Sequence, residues 1–316
     1  MLINIVIFIA SLSVLLISAR LFTAAAETIG KWMRLPAFVI GIFIVGIGTS
    51  LPELISGILS VKKGVSEILP GNVIGANISN LLLITGVAVV VNRKNILLGS
   101  AYIQIDLHFL LGSFFYLCLI AYDGVIAANE AFIGILIYIV YGIYLIRGEK
   151  EDVSALSFPK EENSSMPVPI RSFGILIITS AGIYFGAELT INSIEKIAGA
   201  LGVPNAVIAL TLLSLGTTLP ELAVNITVIR QGKAEMAIGN ILGSSVFNSL
   251  MIPSTAAFFG NILVPDVLLK FSLPVMAGAG FMFYQLTQDK RISVWEGIMF
   301  GCLYILFLLQ IVLHKT

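Results

Sequence analysis

Gly48-Thr49-Ser50-Leu51-Pro52-Glu53-Leu54 recurs as Gly216-Thr217-Thr218-Leu219-Pro220-Glu221-Leu222, 168 residues further along the chain. The same offset lays Gly71-Asn72-Val73-Ile74-Gly75-Ala76-Asn77-Ile78-Ser79-Asn80 on Gly239-Asn240-Ile241-Leu242-Gly243-Ser244-Ser245-Val246-Phe247-Asn248. Without a gap, Pro36–Leu83 matches Pro204–Met251 at about a third of positions, the mark of an internal duplication. Upstream, Glu27 falls on Glu195, which brings the first apolar run into the repeat.

The repeat sits in a very apolar chain. Of 316 residues 58% are hydrophobic and 11% charged, with a mean hydropathy of +1.01. Soluble domains carry about 25% charged residues, so a soluble enzyme, a disordered chain and a nucleic-acid binder are excluded. Lys+Arg 18 against Asp+Glu 18 leaves no net field for a polyanion. Runs of roughly 20 apolar residues cross the hydrocarbon core as helices. Ten are expected, near 2–25, 37–61, 67–91, 101–122, 126–146, 170–193, 204–229, 235–260, 265–286 and 294–314. The runs lack the two-residue alternation of barrel strands, so the class is all-α integral membrane. The first run lacks the basic leader of a signal peptide and is read as a retained helix.

Five spans per half is an odd number, so the two halves must lie in the bilayer with opposite orientation. Residues 1–147 form the first five-helix repeat, 148–169 a linker and 170–316 the second, inverted repeat. Lys and Arg favour the cytoplasmic side. With the N-terminus outside, 12 of them fall in inside connections and 5 in outside ones. Both termini are therefore expected outside a cell membrane, with the polar linker in the cytoplasm. Arg20 and Glu188 align across the repeat and are read as snorkelling or pairing. The glycosylation patterns at Asn77 and Asn225 lie inside spans and are discounted.

Inverted repeats build a substrate site near the midplane from interrupted helices. Glu53 and Glu221 fall mid-span, where a charge costs at least ~2.5–3.5 kcal/mol and marks function by default. No Lys or Arg lies within the interiors of spans two, three, seven or eight. Pro52 and Pro220 each withhold a backbone donor, so helices 2 and 7 are expected to be broken. This leaves carbonyls near Gly46, Ile47, Ser214 and Leu215 without helical partners. Thr49, Ser50, Thr217 and Thr218 add hydroxyls, Thr49 and Thr217 lying four residues before the glutamates. Asn80, Asn248 and Ser244 add further oxygens, with Asn72 and Asn240 as candidate lining. Gly71, Gly75, Gly239 and Gly243 suit close helix packing. An all-oxygen set without His or Cys suits a hard cation such as Ca²⁺, and two carboxylates balance one divalent charge.

At these residues the sequence resembles the sodium/calcium exchanger family of the calcium/cation antiporters, over essentially the whole chain. The resemblance implies a minimal ten-helix antiporter exchanging Ca²⁺ for several Na⁺ by alternating access. Spans two, three, seven and eight would form the core, with spans one and six as a sliding gate. It implies Ca²⁺ on Glu53, Glu221, Thr49 and Thr217. Na⁺ would use the same glutamates with Ser50, Thr218, Asn80, Asn248, Ser244 and the carbonyls of Gly46 and Ser214. No cofactor, nucleic acid or obligatory protein partner is implied, and a monomer is expected to suffice. Ala76 stands where many relatives carry the serine that Ser244 retains, which weakens or rebuilds one Na⁺ subsite. Asn248 replaces an aspartate found in some members and weakens any case for K⁺ co-transport. More than two Na⁺ against two carboxylates makes the cycle electrogenic. Proton-coupled Ca²⁺ exchange is the alternative reading, and a cation channel a distant one.

Overall fold

A computed structural model describes residues 2–35, 37–97, 102–152, 169–200 and 218–313. These form ten helical spans in chain order. They are α1 (Leu2–Trp32), α2 (Ala37–Lys62), α3 (Ile68–Asn92), α4 (Tyr102–Ile120) and α5 (Ala128–Asp152) in the first half. In the second half they are α6 (Ile170–Ala200), α7, described from Leu219–Arg230, α8 (Ala234–Ala256), α9 and α10 (Val294–Leu313). Helix α9 is π-wound over Leu268–Ser272 and α-helical over Leu273–Thr287. Seven of the described spans are long and apolar enough to cross a bilayer by length and composition alone.

The two turns that follow the repeated glutamates fold alike. Gly64 and Gly232 adopt left-handed φ of 77° and 76°. Behind each, Val65 N–H bonds the Ser60 carbonyl at 3.0 Å and Lys233 N–H bonds the Val228 carbonyl at 3.1 Å. Gly64 and Gly232 occupy the positive-φ position that closes a helix C-terminus without a Cβ clash. The sequence offset of 168 therefore survives as one local structure made twice.

Four short strands establish that the halves are inverted. These are β1 (Ile96–Leu97), β2 (Val125–Ile126), β3 (Ile262–Leu263) and β4 (Arg291–Ile292). By their place between equivalent helices β1 corresponds to β3 and β2 to β4, two residues short of the repeat offset. Yet β1 pairs antiparallel with β4, and β2 with β3. Strand β1 joins α3 to α4 and β4 joins α9 to α10, so both connections lie on one face. The β2–β3 pair joins connections on the other face. Equivalent strands thus sit on opposite sides of the membrane.

Packing separates a core from a periphery. Of the apolar windows, 83% of that in α8 and 78% of that in α3 is buried, against 22% in α1, α5 and α10. Helix α8 touches α2, α3, α4 and α5. Helices α1 and α6 lie against each other along their length, closely enough that a Cβ on Gly186 would come within 2.9 Å of the Leu15 backbone. Each has 31 residues, about 46 Å of helix at 1.5 Å per residue. That exceeds a ~30 Å hydrocarbon core, which accommodates such lengths by tilt. Both outrun the expected 2–25 and 170–193, because a helix continues past the apolar run once its hydrogen bonds are established. Helix α5 likewise carries on through Gly148–Asp152, the residues expected to open the linker; 153–168 lie outside the described residues.

Candidate functional site

Helices α2 and α8 meet backbone to backbone. A Cβ on Gly243 would lie 2.5 Å from the Cα of Ile42, and one on Gly239 would lie 2.3 Å from the Phe38 carbonyl oxygen. From the α2 side, a Cβ on Gly41 would reach 2.3 Å from the Met236 carbonyl oxygen. Only glycine permits these approaches. The mirror pair Gly71 and Gly75 has no such contact among the described residues, and the repeat-equivalent partner segment, 204–217, lies outside them.

Where the glycines touch, α2 is wound as a π-helix over Ile40–Gly46 and returns to α-helix over Ile47–Lys62. The expected break in helix 2 therefore takes the form of a change of winding rather than unwound chain, a device common at functional sites. Pro52 remains inside the α-helical part. Gly46, at the end of the π-segment, points its carbonyl at α8. The Ser244 hydroxyl reaches it at 3.2 Å and the Thr49 hydroxyl at 3.3 Å. Asn240 Oδ1 lies within 3.3 Å of the Ser244 hydroxyl and 3.4 Å of the Thr49 hydroxyl. The two hydroxyls are 3.5 Å apart. Four oxygens from α2 and α8 thus share one buried spot.

Glu53 follows one turn after Thr49 on α2, and Glu221 sits in the first turn of α7, behind Pro220. Both are buried, and their side chains lie within hydrogen-bonding and electrostatic reach of each other. Each keeps one carboxyl oxygen, Oε2, buried without a hydrogen-bond partner among the described residues. The three ion pairs among the described residues involve Glu27 and Asp266, not these two acids. Two adjoining buried acids that lack a basic partner require a cation or a shared proton.

More buried polar atoms on the core helices have no partner among the described residues: the Ser50 hydroxyl, Asn80 Nδ2, and both side-chain polar atoms of Asn248. Native interiors satisfy nearly all such atoms, so their clustering on α2, α3 and α8 points to a ligand. Carboxylates, hydroxyls and amide carbonyls match the donor set of a hard cation.

Similarity to known proteins follows this architecture. The family model described as sodium/calcium exchanger protein matches residues 3–147 and 171–313. The chain belongs to the sodium/calcium exchanger family. It is 28% identical to sodium/calcium exchanger MaX1 of Methanosarcina acetivorans, over 97% of each chain. An uncharacterized membrane protein of Methanocaldococcus jannaschii is 27% identical over 95% of each. The structure of the sodium-calcium exchanger NCX_Mj, soaked with zero Na⁺ and Ca²⁺, superposes with a TM-score of 0.81 at 26% identity. That match covers 97% of this chain and 98% of the other. Family membership makes this chain a transporter of the cation/Ca²⁺ exchange type.

Of the residues singled out in the exchanger's sequence, Gly46, Thr49, Ser50, Glu53, Asn80, Glu221, Asn240, Ser244 and Asn248 are buried on the core helices. Thr218 is buried in the turn that opens α7. Ala76 is buried on α3 and Asn72 is half-buried there. Thr217 and Ser214 lie outside the described residues. Asn77 and Asn225 are buried in helices, Asn77 donating to the Ser249 hydroxyl at 2.8 Å and Asn225 to the Glu221 carbonyl at 2.8 Å. Arg20 and Glu188 are exposed on α1 and α6, and no ion pair joins them. Sequence reasoning missed two features. It left Asn240 as lining, although the Ser244 mate at i+4 was the available signal. It also missed the pairing of Glu27 with Lys233, which no local pattern announces.

Proposed function

We propose that this exchanger carries Ca²⁺ out of the cell against several Na⁺ moving in, by alternating access to one central site. Glu53 and Glu221, with Thr49 and Thr217, take Ca²⁺. The same carboxylates take Na⁺ in turn, with Ser50, Thr218, Asn80, Asn248, Ser244 and the carbonyls of Gly46 and Ser214. The reading rests above all on one contact: two buried acids from opposite repeats facing each other with no basic residue between them. Empty and doubly charged, such a site is costly to carry through hydrocarbon; loaded with Ca²⁺ it is neutral. Movement is thereby tied to occupancy, which makes transport an obligatory exchange. A third Na⁺ leaves one net charge on the loaded site, so the cycle is electrogenic. The single chain carries both halves of the site and works as a monomer. Its termini lie outside the cell membrane and its linker in the cytoplasm.

Radiolabelled Ca²⁺ uptake into proteoliposomes under an imposed Na⁺ gradient tests this reading. Uptake should depend on the Na⁺ gradient and respond to membrane potential. The contact between Glu53 and Glu221 also suits a shared proton, so proton-coupled exchange is the second reading. Uptake that follows a pH gradient and ignores Na⁺ would establish it instead.

A further inference from the structure

We propose that Tyr304, on the peripheral helix α10, is a positioning residue for ion binding: bonded to Ser79, it holds the π-wound segment of α3 in place and so sets the direction of Asn80. This deepens the exchange reading and rests on it for the ion that Asn80 meets. Helix α3 is α-helical over Ile68–Ile78, π-wound over Ser79–Ile84 and α-helical again over Thr85–Asn92. A π-turn holds one residue more than an α-turn, so the way Asn80 faces depends on where the extra residue sits. Two contacts fix it. At the far end, Thr85 donates its backbone N–H and, at 3.1 Å, its hydroxyl to the Asn80 carbonyl, the i to i+5 closure of a π-turn. At the near end stands Ser79. Other buried serines, such as Ser60 and Ser113, donate to a carbonyl three residues earlier in their own helix. The Ser79 hydroxyl instead hydrogen-bonds the buried Tyr304 hydroxyl at 2.9 Å. Helix α10 is itself held against α3, since a Cβ on Gly86 would lie 2.7 Å from the Gly297 carbonyl oxygen.

The equivalent helix of the other half shows what Tyr304 adds. Glu130 and Glu296 cap the starts of α5 and α10 alike, accepting from the backbone N–H of Ala127 at 3.5 Å and of Ser293 at 2.6 Å. Eight residues after each glutamate stands a tyrosine, Tyr138 and Tyr304. Each tyrosine meets the residue before a candidate site asparagine. Tyr304 meets Ser79, before Asn80; Tyr138 meets Phe247, before Asn248, ring to ring at 5.7 Å. Phe247 has no hydroxyl to offer, and the Tyr138 hydroxyl is buried without a hydrogen-bond partner among the described residues. Helix α8 is α-helical throughout Ala234–Ala256. The interhelical hydrogen bond and the π-winding therefore occur together in one half and are both missing from the other. Regular winding suffices to orient Asn248; Asn80 relies on Tyr304.

Na⁺ binding is read without transport, as an apparent dissociation constant from the rise of the unfolding temperature with Na⁺ in detergent, choline chloride keeping the ionic strength constant. Tyr304→Phe should raise that constant about fivefold, the effect of one net hydrogen bond. Ser79→Ala should match it, and the double variant should go no further than either single one. Tyr138→Phe should leave the constant within about twofold. A mere packing brace would lower the unfolding temperature without Na⁺ and leave the constant unmoved; that result would overturn the proposal. So would additive shifts in the double variant, or an equal shift for Tyr138→Phe. Where Tyr304→Phe fails to fold, Ser79→Thr and Ser79→Ala decide, because threonine keeps the hydroxyl and should keep the constant near that of the unmodified chain. Equal constants for these two would also overturn the proposal. The same proteins in liposomes keep the two claims apart. Shifted constants without Na⁺-driven Ca²⁺ flux would sink the exchange reading and leave the role of Tyr304 standing; flux with unmoved constants would do the reverse.

Discussion

The hydroxyl of Ser244 reaches the carbonyl of Gly46 at 3.2 Å across the two repeats, and it does so because the backbones beneath them touch. Gly243, next to Ser244, leaves only 2.5 Å between a Cβ at that position and the Cα of Ile42. Gly243→Ala must therefore push α8 away from the π-wound segment of α2. Overpacking of this kind costs about 1–3 kcal/mol. The expected outcome is a lower unfolding temperature in detergent together with weaker Na⁺ dependence of Ca²⁺ uptake. A variant with unaltered unfolding and unaltered Na⁺ dependence would mean that the close approach does not hold the cluster together.

Glu53→Gln and Glu221→Gln keep the size and the hydrogen-bonding capacity of the side chain but remove one charge from a buried site with no basic partner. Breaking a buried charge pairing costs about 3–5 kcal/mol, and each 1.4 kcal/mol is about tenfold in affinity. Ca²⁺ uptake should fall at least about 100-fold in either variant, with the folded protein eluting normally on size exclusion. Full uptake by both would remove these acids from the transport site.

What the sequence made legible follows from what repeats. The odd number of spans required inversion, and the matched turns at Gly64 and Gly232 and the crossed strand pairs carry it out. The matched acids Glu53 and Glu221 were legible because a mid-span charge has few explanations. The π-winding of Ile40–Gly46 was not, since Ile-Gly-Ile-Phe-Ile-Val-Gly holds no proline and its two glycines do not by themselves specify a change of winding. Its register is bound up with the contact to Gly239 and Gly243, which lies outside the segment itself. The role of Asn240 was hidden for the same reason. Its acceptor function depends on α2 and α8 lying backbone to backbone, and periodicity carries no information about which helices meet.

The proposed orientation makes a labelling prediction. Lys63, between α2 and α3, and Lys94, between α3 and α4, are exposed at opposite ends of one span. In a background with Cys118 and Cys302 replaced by alanine, Lys63→Cys should react with a membrane-impermeant maleimide in intact cells. Lys94→Cys should react only after permeabilisation. The reverse pattern would invert the assigned topology while leaving the repeat intact.

Glu27 ties the long peripheral helix α1 to the core. Its carboxylate meets Lys233, in the turn between α7 and α8, at 2.5 Å and Lys31, one turn further along α1, at 3.1 Å. By the repeat offset Lys233 corresponds to Val65, so the mirror turn, whose lysines are Lys62 and Lys63, has none at that position. The Glu27 and Lys233 side chains are each 26% exposed, and such a partly exposed pair is worth under about 1 kcal/mol. Lys233→Met should therefore barely move the unfolding temperature. If α1 shifts against the core during transport, a tie of even this strength slows the departure from the state that contains it. Lys233→Met and Glu27→Gln should then both raise the Ca²⁺ turnover rate, by up to about fivefold for 1 kcal/mol. The exchanged pair Glu27→Lys with Lys233→Glu should return the rate toward that of the unmodified chain. Loss of turnover in the single variants, unrepaired by the exchange, would make the contact a structural brace rather than a latch.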